Sequence, residues 1–311
     1  MKKKYFLQII LLGFIFSSCT KLEDVSDFPT EDPKLVVNSV FTPDSFWYFE
    51  VSKSLSVLDQ ANLNYIDDAT IKLYENGILL ETLSTPTTYN DGRIAFHSST
   101  NKPIVGKNYS IKVSASGFED VSSEGSLPNS IVALDVSKLS IISKTIEVYD
   151  SSTYDINAKM TITLMDPVNE DNYYELYLFS IDTFYWDWTD SSVYDLTTYM
   201  EYLYSEDPSV EGYNHYNLGS VLFTDHLFDG ETHEMTFDIY TYTHTYSPSK
   251  KFYAMLRTHS RDSYLYEKSS SLYMSGSDNF FAEPVQVYNN IDNGYGIFGG
   301  YVTSKDSIVL Q

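Results

Sequence analysis

Cysteine is nearly absent from this chain: its 311 residues contain one, Cys19. A single cysteine cannot form a disulfide within its own chain, so core burial must stabilise the fold without one. Basic residues are also scarce, with 20 Lys and Arg against 43 Asp and Glu and a formal net charge of −23. We therefore expect no binding to nucleic acid or to anionic lipid headgroups.

The common catalytic motifs are missing as well. The chain contains no GxSxG nucleophile elbow, no GxxxxGK[ST] phosphate loop and no HExxH zinc motif, and its YGIFGG segment lacks the strand–GxGxxG–helix context of a dinucleotide site. The sequence thus predicts a protein that is not an enzyme and has no cofactor. One alternative stays open, because 43 acidic residues offer many carboxylate pairs of the kind that hydrolyse glycosides.

The N-terminal apolar run, residues 5–16, is too short for a transmembrane helix, which needs about 20 apolar residues. It follows three lysines at positions 2–4 and ends at FIFSSC, an arrangement typical of a secretory signal. FIFSSC resembles a bacterial lipobox, so we interpret residues 1–18 as a lipoprotein signal peptide and Cys19 as the lipidated residue. An ordinary signal peptide with an incidental cysteine is the alternative. Cleavage would remove three lysines and no acid, which changes the net charge from −23 to −26.

Residues 19–33 are polar and acidic and contain Pro29 and Pro33. We interpret them as a tether that holds the folded part away from the membrane. Acidic residues soon after a lipidated cysteine resemble the surface-export signals of Bacteroidota lipoproteins. We therefore expect a lipid-anchored protein of the outer membrane that is exposed on the cell surface.

The remaining sequence predicts an all-β fold in two parts. With 28 Tyr, 18 Phe and ordinary Gly and Pro, its composition favours pleated sheets. Residues 34–128 contain about seven short strand patterns, with an Asn76-Gly77 hairpin turn, and are similar to immunoglobulin-like or transthyretin-like antiparallel β-sandwiches. Residues 129–311 predict a second, larger antiparallel β domain.

The second part also carries signals for one or two short helices. A helix is predicted from Ser260 as its N-cap. A second one is possible over residues 193–204, where Leu196, Tyr199, Met200 and Leu203 share a stripe. Asp229-Gly230 predicts a hairpin turn. For the glycine- and asparagine-rich residues 289–301 we favour a tight, buried loop before the last strand over a binding loop.

Several blocks, namely PKLVVNSVF, ATIKLYENG, GKNYSIKVSASGF, FTDHLFDGE and above all FAEPVQVYNNIDNGYGIFGGYVTS, carry a family likeness. They resemble the Bacteroidota lipoprotein family catalogued as domain of unknown function 4249, over residues 25–310. That family has no established activity. Its members are commonly encoded beside TonB-dependent outer-membrane receptors. The resemblance therefore implies a location and a possible TonB-dependent receptor as partner, and it transfers no catalytic or ligand-binding residue.

Candidate sites come from aromatic, histidine and acidic clusters. Residues 184–216 are rich in aromatic residues that could contact a sugar, a peptide or a partner protein, or could cover the core; the candidates are Trp186, Trp188, Tyr194, Tyr199, Tyr202 and Tyr213. His226 and His233 flank the Asp229-Gly230 turn and could bind a metal, with exposed polar residues of a hairpin as the alternative. Asp166, Glu170 and Asp171 could bind Ca²⁺, although their spacing is not that of an EF-hand loop.

Three functional hypotheses follow. The first is a non-enzymatic lipoprotein of the outer membrane that assists a TonB-dependent transporter or captures its ligand. The second is a structural or adhesive module of the cell surface. The third is a hydrolase with an unrecognised acid pair. The sequence does not identify the ligand.

Overall fold

The residues that the computed structural model describes are 32–56, 64–147, 153–185, 194–211, 219–244, 250–277 and 285–310. For residues 183–185, 194, 195 and 277 only the backbone is described. The predicted signal peptide, Cys19 and nearly all of the predicted tether lie outside these ranges. No helix within them is both long enough and apolar enough to cross a membrane.

The chain is built almost wholly from strands. The strands before residue 130 are β1 Leu35–Phe41, β2 Tyr48–Lys53, β3 Thr70–Glu75, β4 Ile78–Leu83, β5 Pro86–Thr88, β6 Ile94–His97, β7 Asn108–Ser114 and β8 Val121–Ser126. Those after it are β9 Leu134–Ile146, β10 Thr153–Met165, β11 Tyr173–Tyr185, β12 Tyr194–Glu201, β13 Leu203–Tyr204, β14 Ser220–Thr224, β15 Thr232–His244, β16 Lys250–His259 and β17 Tyr295–Leu310. Helix α1 spans Arg261–Ser277. The predicted all-β class is thereby confirmed.

The first core lies between two sheets, as the β-sandwich prediction requires. One is the antiparallel sheet β4-β3-β7-β8, and the other is the part of a nine-stranded sheet that contains β1, β2, β5 and β6. Alternate residues of the strands point inward, so that Ile71, Leu73 and Ile111 are fully buried together with Trp47. Burying each such side chain contributes about 1.5–3 kcal/mol. Asn76 and Gly77 form the predicted hairpin turn between β3 and β4, with φ values of 49° and 81°.

Strand β17 joins both halves of the nine-stranded sheet. Its residues 295–300 pair in parallel with β1, and residues 301–310 pair antiparallel with β16. Phe298 and Val302 of β17 belong to the first core, and residues Pro33–Gln311 form one compact unit. The predicted boundary near residue 128 falls between β8 and β9, but the two parts on either side of it share this strand.

Of residues 289–301, which were predicted to form a tight, buried loop, 289–294 form a loop and 295–301 belong to β17. The loop is buried only in part, because Asn289, Asp292 and Asn293 are exposed. Ile291 is buried in the first core. The side chain of Asn290 bonds both backbone groups of Phe298: its Oδ1 accepts from the amide nitrogen at 2.9 Å, and its Nδ2 donates to the carbonyl oxygen at 2.8 Å. Asn290 thus fixes the chain where it enters β17.

The second core lies between β12-β11-β16-β17 of the large sheet, extended by β14, and the four-stranded sheet β13-β15-β10-β9. The chain passes from one sheet to the other between β12 and β13. The helix predicted over residues 193–204 is therefore wrong. Its apolar stripe is divided in the structure, because Leu196 and Met200 are exposed whereas Leu203 is buried. The β-branched Thr197 and Thr198 favour the strand that pairs with β11.

The helix predicted from Ser260 is confirmed as α1. The Ser260 hydroxyl accepts the amide hydrogen of Ser263 at 3.3 Å, which is the bond of an N-cap. The helix lies against β11, β16 and β17.

The hairpin predicted at Asp229-Gly230 is wrong. Gly230 has φ +74° and lies in a turn, but the strands on either side belong to different sheets, because β14 pairs with β11 and β15 pairs with β10 and β13. A short 3-10 helix, Asp225–Leu227, precedes the turn. The turn therefore carries the chain across the second core.

Candidate functional site

The aromatic residues predicted as contacts differ in whether the structure describes them and in how exposed they are. Trp186, Trp188 and Tyr213 lie outside the described residues, and Tyr194 is described by its backbone alone. Tyr199 is half-buried and packs edge-on against Tyr242, with ring centroids 5.3 Å apart. Tyr202 is 50% exposed where the chain passes from β12 to β13. Of the predicted set, Tyr202 thus presents an exposed ring, and Tyr199 packs within the protein.

Tyr199 also contacts a buried lysine. The Lys250 ammonium lies 5.3 Å from the centroid of the Tyr199 ring and 5.1 Å from that of Tyr242. It is paired with Asp182 at 3.4 Å and Glu201 at 3.1 Å. Burial raises the pKa of Asp182 although Lys250 opposes this. These contacts join β16, β11, β12 and β15, so the cluster holds the two sheets of the second core together.

A second buried cluster contains the residue types of a catalytic triad. His259 Nδ1 lies 2.9 Å from Ser263 Oγ, and His259 Nε2 lies 3.1 Å from Glu175 Oε2. All three residues are buried, with Ser263 and Glu175 at 0% exposure. A nucleophile must be reachable by its substrate, and Ser263 is fully buried. We therefore assign this arrangement a structural role, which is to attach α1 to the sheet. No local sequence pattern predicts this cluster, because Glu175 and His259 are 84 positions apart.

Electrostatics in this second cluster favour the ionised carboxylate. Burial tends to raise the pKa of Glu175, but the hydrogen bond and charge of His259, with Arg257 nearby, hold it at about 2. Burial raises the pKa of Glu267 on α1. The surroundings thus lower the pKa of Glu175 and raise the pKa of Glu267.

Three carboxylates form the group of possible metal ligands found among the described residues: Asp166, Asp225 and Asp229, each with an oxygen within 4.8 Å of the others. Asp166 Oδ2 accepts the amide hydrogen of Gly230 at 2.9 Å, and Asp225 Oδ2 accepts that of Asn172 at 2.7 Å. Burial raises the pKa of both Asp166 and Asp225. Three oxygens are fewer than the six to eight that Ca²⁺ normally takes.

Most metal-ligand candidates predicted from the sequence do not belong to this group of three aspartates. Glu170 accepts a hydrogen bond from the Asn129 amide at 3.2 Å and is not in the aspartate group. His233 stacks on Phe228, with ring centroids 4.1 Å apart, and lies 3.2 Å from Asp207. His226 is exposed. Asp166 is the candidate that the structure places with other carboxylates.

The outer face of the large sheet, beyond α1, forms a broad, partly exposed surface. Cross-strand register fixes its members, because Phe179 lies opposite Met200 and Tyr253, and Tyr253 lies opposite Ser307. We name this the outer sheet face: Leu196, Thr198 and Met200 of β12, Phe179 and Ile181 of β11, Lys251, Tyr253 and Met255 of β16, and Lys305, Ser307 and Val309 of β17. None of these residues is acidic. Leu196, Met200 and Val309 are 57%, 44% and 42% exposed.

Surface clefts lie beside α1 in the part of the chain that the structure describes. The polar cleft, of about 420 Å³, is lined chiefly by Asn76, Asn108, Ser110, Glu124, Ser126 and Asp262. The apolar groove, of about 470 Å³, is lined chiefly by Leu265, Leu272, Val287 and Tyr288. Tyr288 donates its hydroxyl hydrogen to Asp262 at 2.5 Å and so connects the walls of the two.

In the described part of the chain, the fold and the sites define a β-sheet protein with two cores, a partly exposed acid-free sheet face and surface clefts. The chain belongs to the family described as Domain of unknown function (DUF4249), whose model matches residues 23–307. This confirms the family resemblance seen in the sequence. The description assigns no activity to the family.

The other comparisons add no functional argument. No curated protein matches the chain. A similar solved chain belongs to a structure titled "Complete structure of manganese lipoxygenase of Gaeumannomyces graminis and partial structure of zonadhesin of Komagataella pastoris". It is 12% identical, with 76% of this chain and 91% of that chain covered and a TM-score of 0.13. A score this low supports no inference about fold or function.

Proposed function

We propose that this protein is a non-enzymatic lipoprotein, anchored in the outer membrane through Cys19, that serves as an accessory or ligand-binding partner of a TonB-dependent transporter. The outer sheet face is the observation that carries the binding role. The sequence pattern around Cys19 supports the anchor, and the family resemblance supports the class of partner.

The composition of the outer sheet face favours contact with a protein. Interface cores are depleted of acidic residues and enriched in aromatic residues and methionine. This face carries Phe179, Tyr253, Met200 and Met255 in a chain that has more than twice as many acidic as basic residues. A contiguous apolar patch on a protein surface is typical of an interaction site.

The charges on the face indicate what the partner surface should be. Lys251 and Lys305 are its charged residues, and the Lys251 ammonium lies 4.7 Å from the centroid of the Tyr253 ring. A symmetric dimer through this face would bring lysines near lysines. A different protein with an apolar and acidic surface fits better, because opposite charges steer association.

Photo-crosslinking in native envelope tests this role. A photoreactive amino acid at Met200 or Val309 is expected to yield an adduct with a transporter barrel, identified by mass spectrometry. Tyr240, which is 60% exposed on the opposite sheet, is the matched control position and should give no such adduct. The double substitution Lys251→Glu and Lys305→Glu should lower the adduct yield from Met200 severalfold.

Three results would contradict the proposal. One is equal transporter adducts from Tyr240 and Met200. Another is adducts from the outer sheet face to copies of this chain alone. The third is no transporter adduct from either position on the face while the protein is folded and in the membrane.

A further inference from the structure

We propose that the polar cleft is a binding site for a small organic cation, namely a primary ammonium or guanidinium group. This inference goes beyond the proposed function, since it would hold for a protein that docks on no transporter. It rests on the shape of the cleft, on its unused hydrogen-bonding groups and on the sign of its charges.

The cleft is formed where three strand ends meet the first turn of α1. The β3–β4 turn contributes Asn76, strand β7 contributes Asn108 and Ser110, strand β8 contributes Glu124 and Ser126, and α1 contributes Asp262. Its volume of about 420 Å³ is within the range of about 300–1,000 Å³ common for small-molecule sites. These elements belong to the sandwich and to a capped helix, so the wall is preformed.

Most polar side chains of the wall have no partner among the described residues. The side chains of Asn76, Asn108, Ser110, Glu124 and Ser126 make no hydrogen bond or ion pair with any other described residue. Their amide, hydroxyl and carboxylate groups face one concave space. Such convergence is what a polar ligand needs in order to replace its hydration shell.

The charges of the wall select a cation. Glu124 and Asp262 are acidic, and the described residues of the wall include no Lys, Arg or His. Asp262 uses Oδ1 to accept the hydroxyl hydrogen of Tyr288, which leaves Oδ2 available to a ligand. An anion would be repelled here, whereas an ammonium or guanidinium could donate to both carboxylates and to the neighbouring amide and hydroxyl oxygens.

The wall does not favour a sugar as the ligand. Sugar rings usually stack on an exposed aromatic face, and Tyr109, the one aromatic residue among the described residues of the wall, is 2% exposed. A cation could come from a free polyamine or from a lysine or arginine side chain of a peptide. The binding group is the same in both cases, so the experiment must separate the two sources.

Isothermal titration of the full chain in detergent tests the site. The probes are spermidine and agmatine as free cations, blocked Gly-Lys-Gly and Gly-Arg-Gly peptides as peptide-borne cations, and maltose and sulfate as non-cations. We expect saturable binding of at least one cationic probe and none of maltose or sulfate. Binding by free amines alone identifies the polyamine source, and binding by the peptides alone identifies the peptide source.

Two substitutions locate the binding. Glu124→Gln and Asp262→Asn should each weaken it about tenfold, because each removes one charged hydrogen-bond acceptor. Glu119→Gln is the matched control, since Glu119 is exposed and lies outside the wall; its affinity should equal that of the wild type. The Glu124 side chain is exposed and makes no hydrogen bond or ion pair with another described residue, so its variant tests the site even if Asp262→Asn weakens α1.

Several outcomes overturn the inference. They are absence of saturable binding by every cationic probe at millimolar concentration, and equal loss of affinity in Glu119→Gln and Glu124→Gln, which would indicate non-specific attraction to an acidic surface. A third is binding of Ca²⁺, but of no organic cation, that depends on Glu124. Turnover of a glycoside that depends on Glu124 and Asp262 would replace the inference with the hydrolase alternative.

Discussion

At the scale of single residues, buried Lys250 is paired with carboxylates from other elements of the chain. Lys250 on β16 meets Asp182 on β11 and Glu201 on β12. Glu201 also accepts hydrogen bonds from the hydroxyls of Ser180 and Thr241. Removing one member of such a group leaves an uncompensated buried charge.

Lys250→Met is therefore expected to destabilise the protein strongly. Asp182 and Glu201 would remain buried without their cation, at a cost of about 3–5 kcal/mol. Urea unfolding of the full chain measures the change. Lys251→Met on the same strand is the control and should cost less than about 1 kcal/mol, because Lys251 is partly solvated. Similar losses in both variants would show that the buried cluster is not what stabilises the second core.

At the scale of elements, β17 depends on glycine where it runs beside β1. Gly296 has φ +117°, and a Cβ there would lie 2.1 Å from the carbonyl oxygen of Val37. Both the backbone conformation and the space exclude a side chain. The pairing that joins the two halves of the large sheet therefore requires this residue to be glycine.

Gly296→Ala should cost about 3 kcal/mol or more in unfolding free energy, since left-handed strain and steric overlap add. Gly92→Ala is the control: Gly92 has φ +86° but nothing within 4 Å of an added Cβ. That variant should lose only about 1–2 kcal/mol from the strain. Equal effects of the two substitutions would mean that the β1–β17 contact tolerates a methyl group.

The attachment of α1 to the sheet is expected to depend on pH. Glu175 has its folded pKa lowered from 4.5 to about 2. A lowered pKa contributes stability above the unfolded pKa, and this contribution is lost as pH falls from about 4.5 through 2. The stability gap between wild type and Glu175→Gln should therefore be about 3 kcal/mol near pH 6 and shrink over that window.

Chemical unfolding of both proteins at several pH values measures this gap. Taking the difference cancels carboxyl groups common to both, including Asp166, Asp182 and Asp225, whose raised pKa values act in the opposite direction. A gap that does not change between pH 6 and pH 2 would contradict the assignment of the His259 contact as the main support of the Glu175 carboxylate.

At the scale of the whole molecule, two features act together. The excess of acidic residues keeps the surface soluble and attracts cations, whereas the outer sheet face lacks acids entirely. Attachment to a membrane would restrict the orientations in which this face meets a partner.

Cys19→Ala should release the protein from the membrane fraction and abolish labelling by a clickable palmitate analogue. The reason is that a thiol is needed for the first acyl chain and stable anchoring takes at least two chains. Ser18→Ala keeps the thiol and serves as the control, with membrane retention unchanged. Continued retention and labelling of the Cys19→Ala protein would refute the lipobox interpretation.

The sequence determined much of the local structure. Asn76-Gly77 specifies its turn through two positive φ angles, and Ser260 specifies the start of α1 through one hydrogen bond. Both signals depend on neighbours within a few residues, which is why they can be predicted. The alternation of apolar residues likewise predicted the all-β class, and the blocks along the chain predicted the family.

Only the tertiary structure decided the features that depend on contacts between residues distant in sequence. Residues 194–201 form a strand instead of the predicted helix, because their backbone pairs with β11. Asp229-Gly230 does not form a hairpin, because β14 and β15 pair with strands of different sheets. The Glu175–His259 pair arises only when β11, β16 and α1 pack together. The outer sheet face needs β12, β11, β16 and β17 side by side, and the polar cleft needs β3, β7 and β8 against α1. Local sequence carries no record of such contacts, since their free energy comes from residues brought close by the fold.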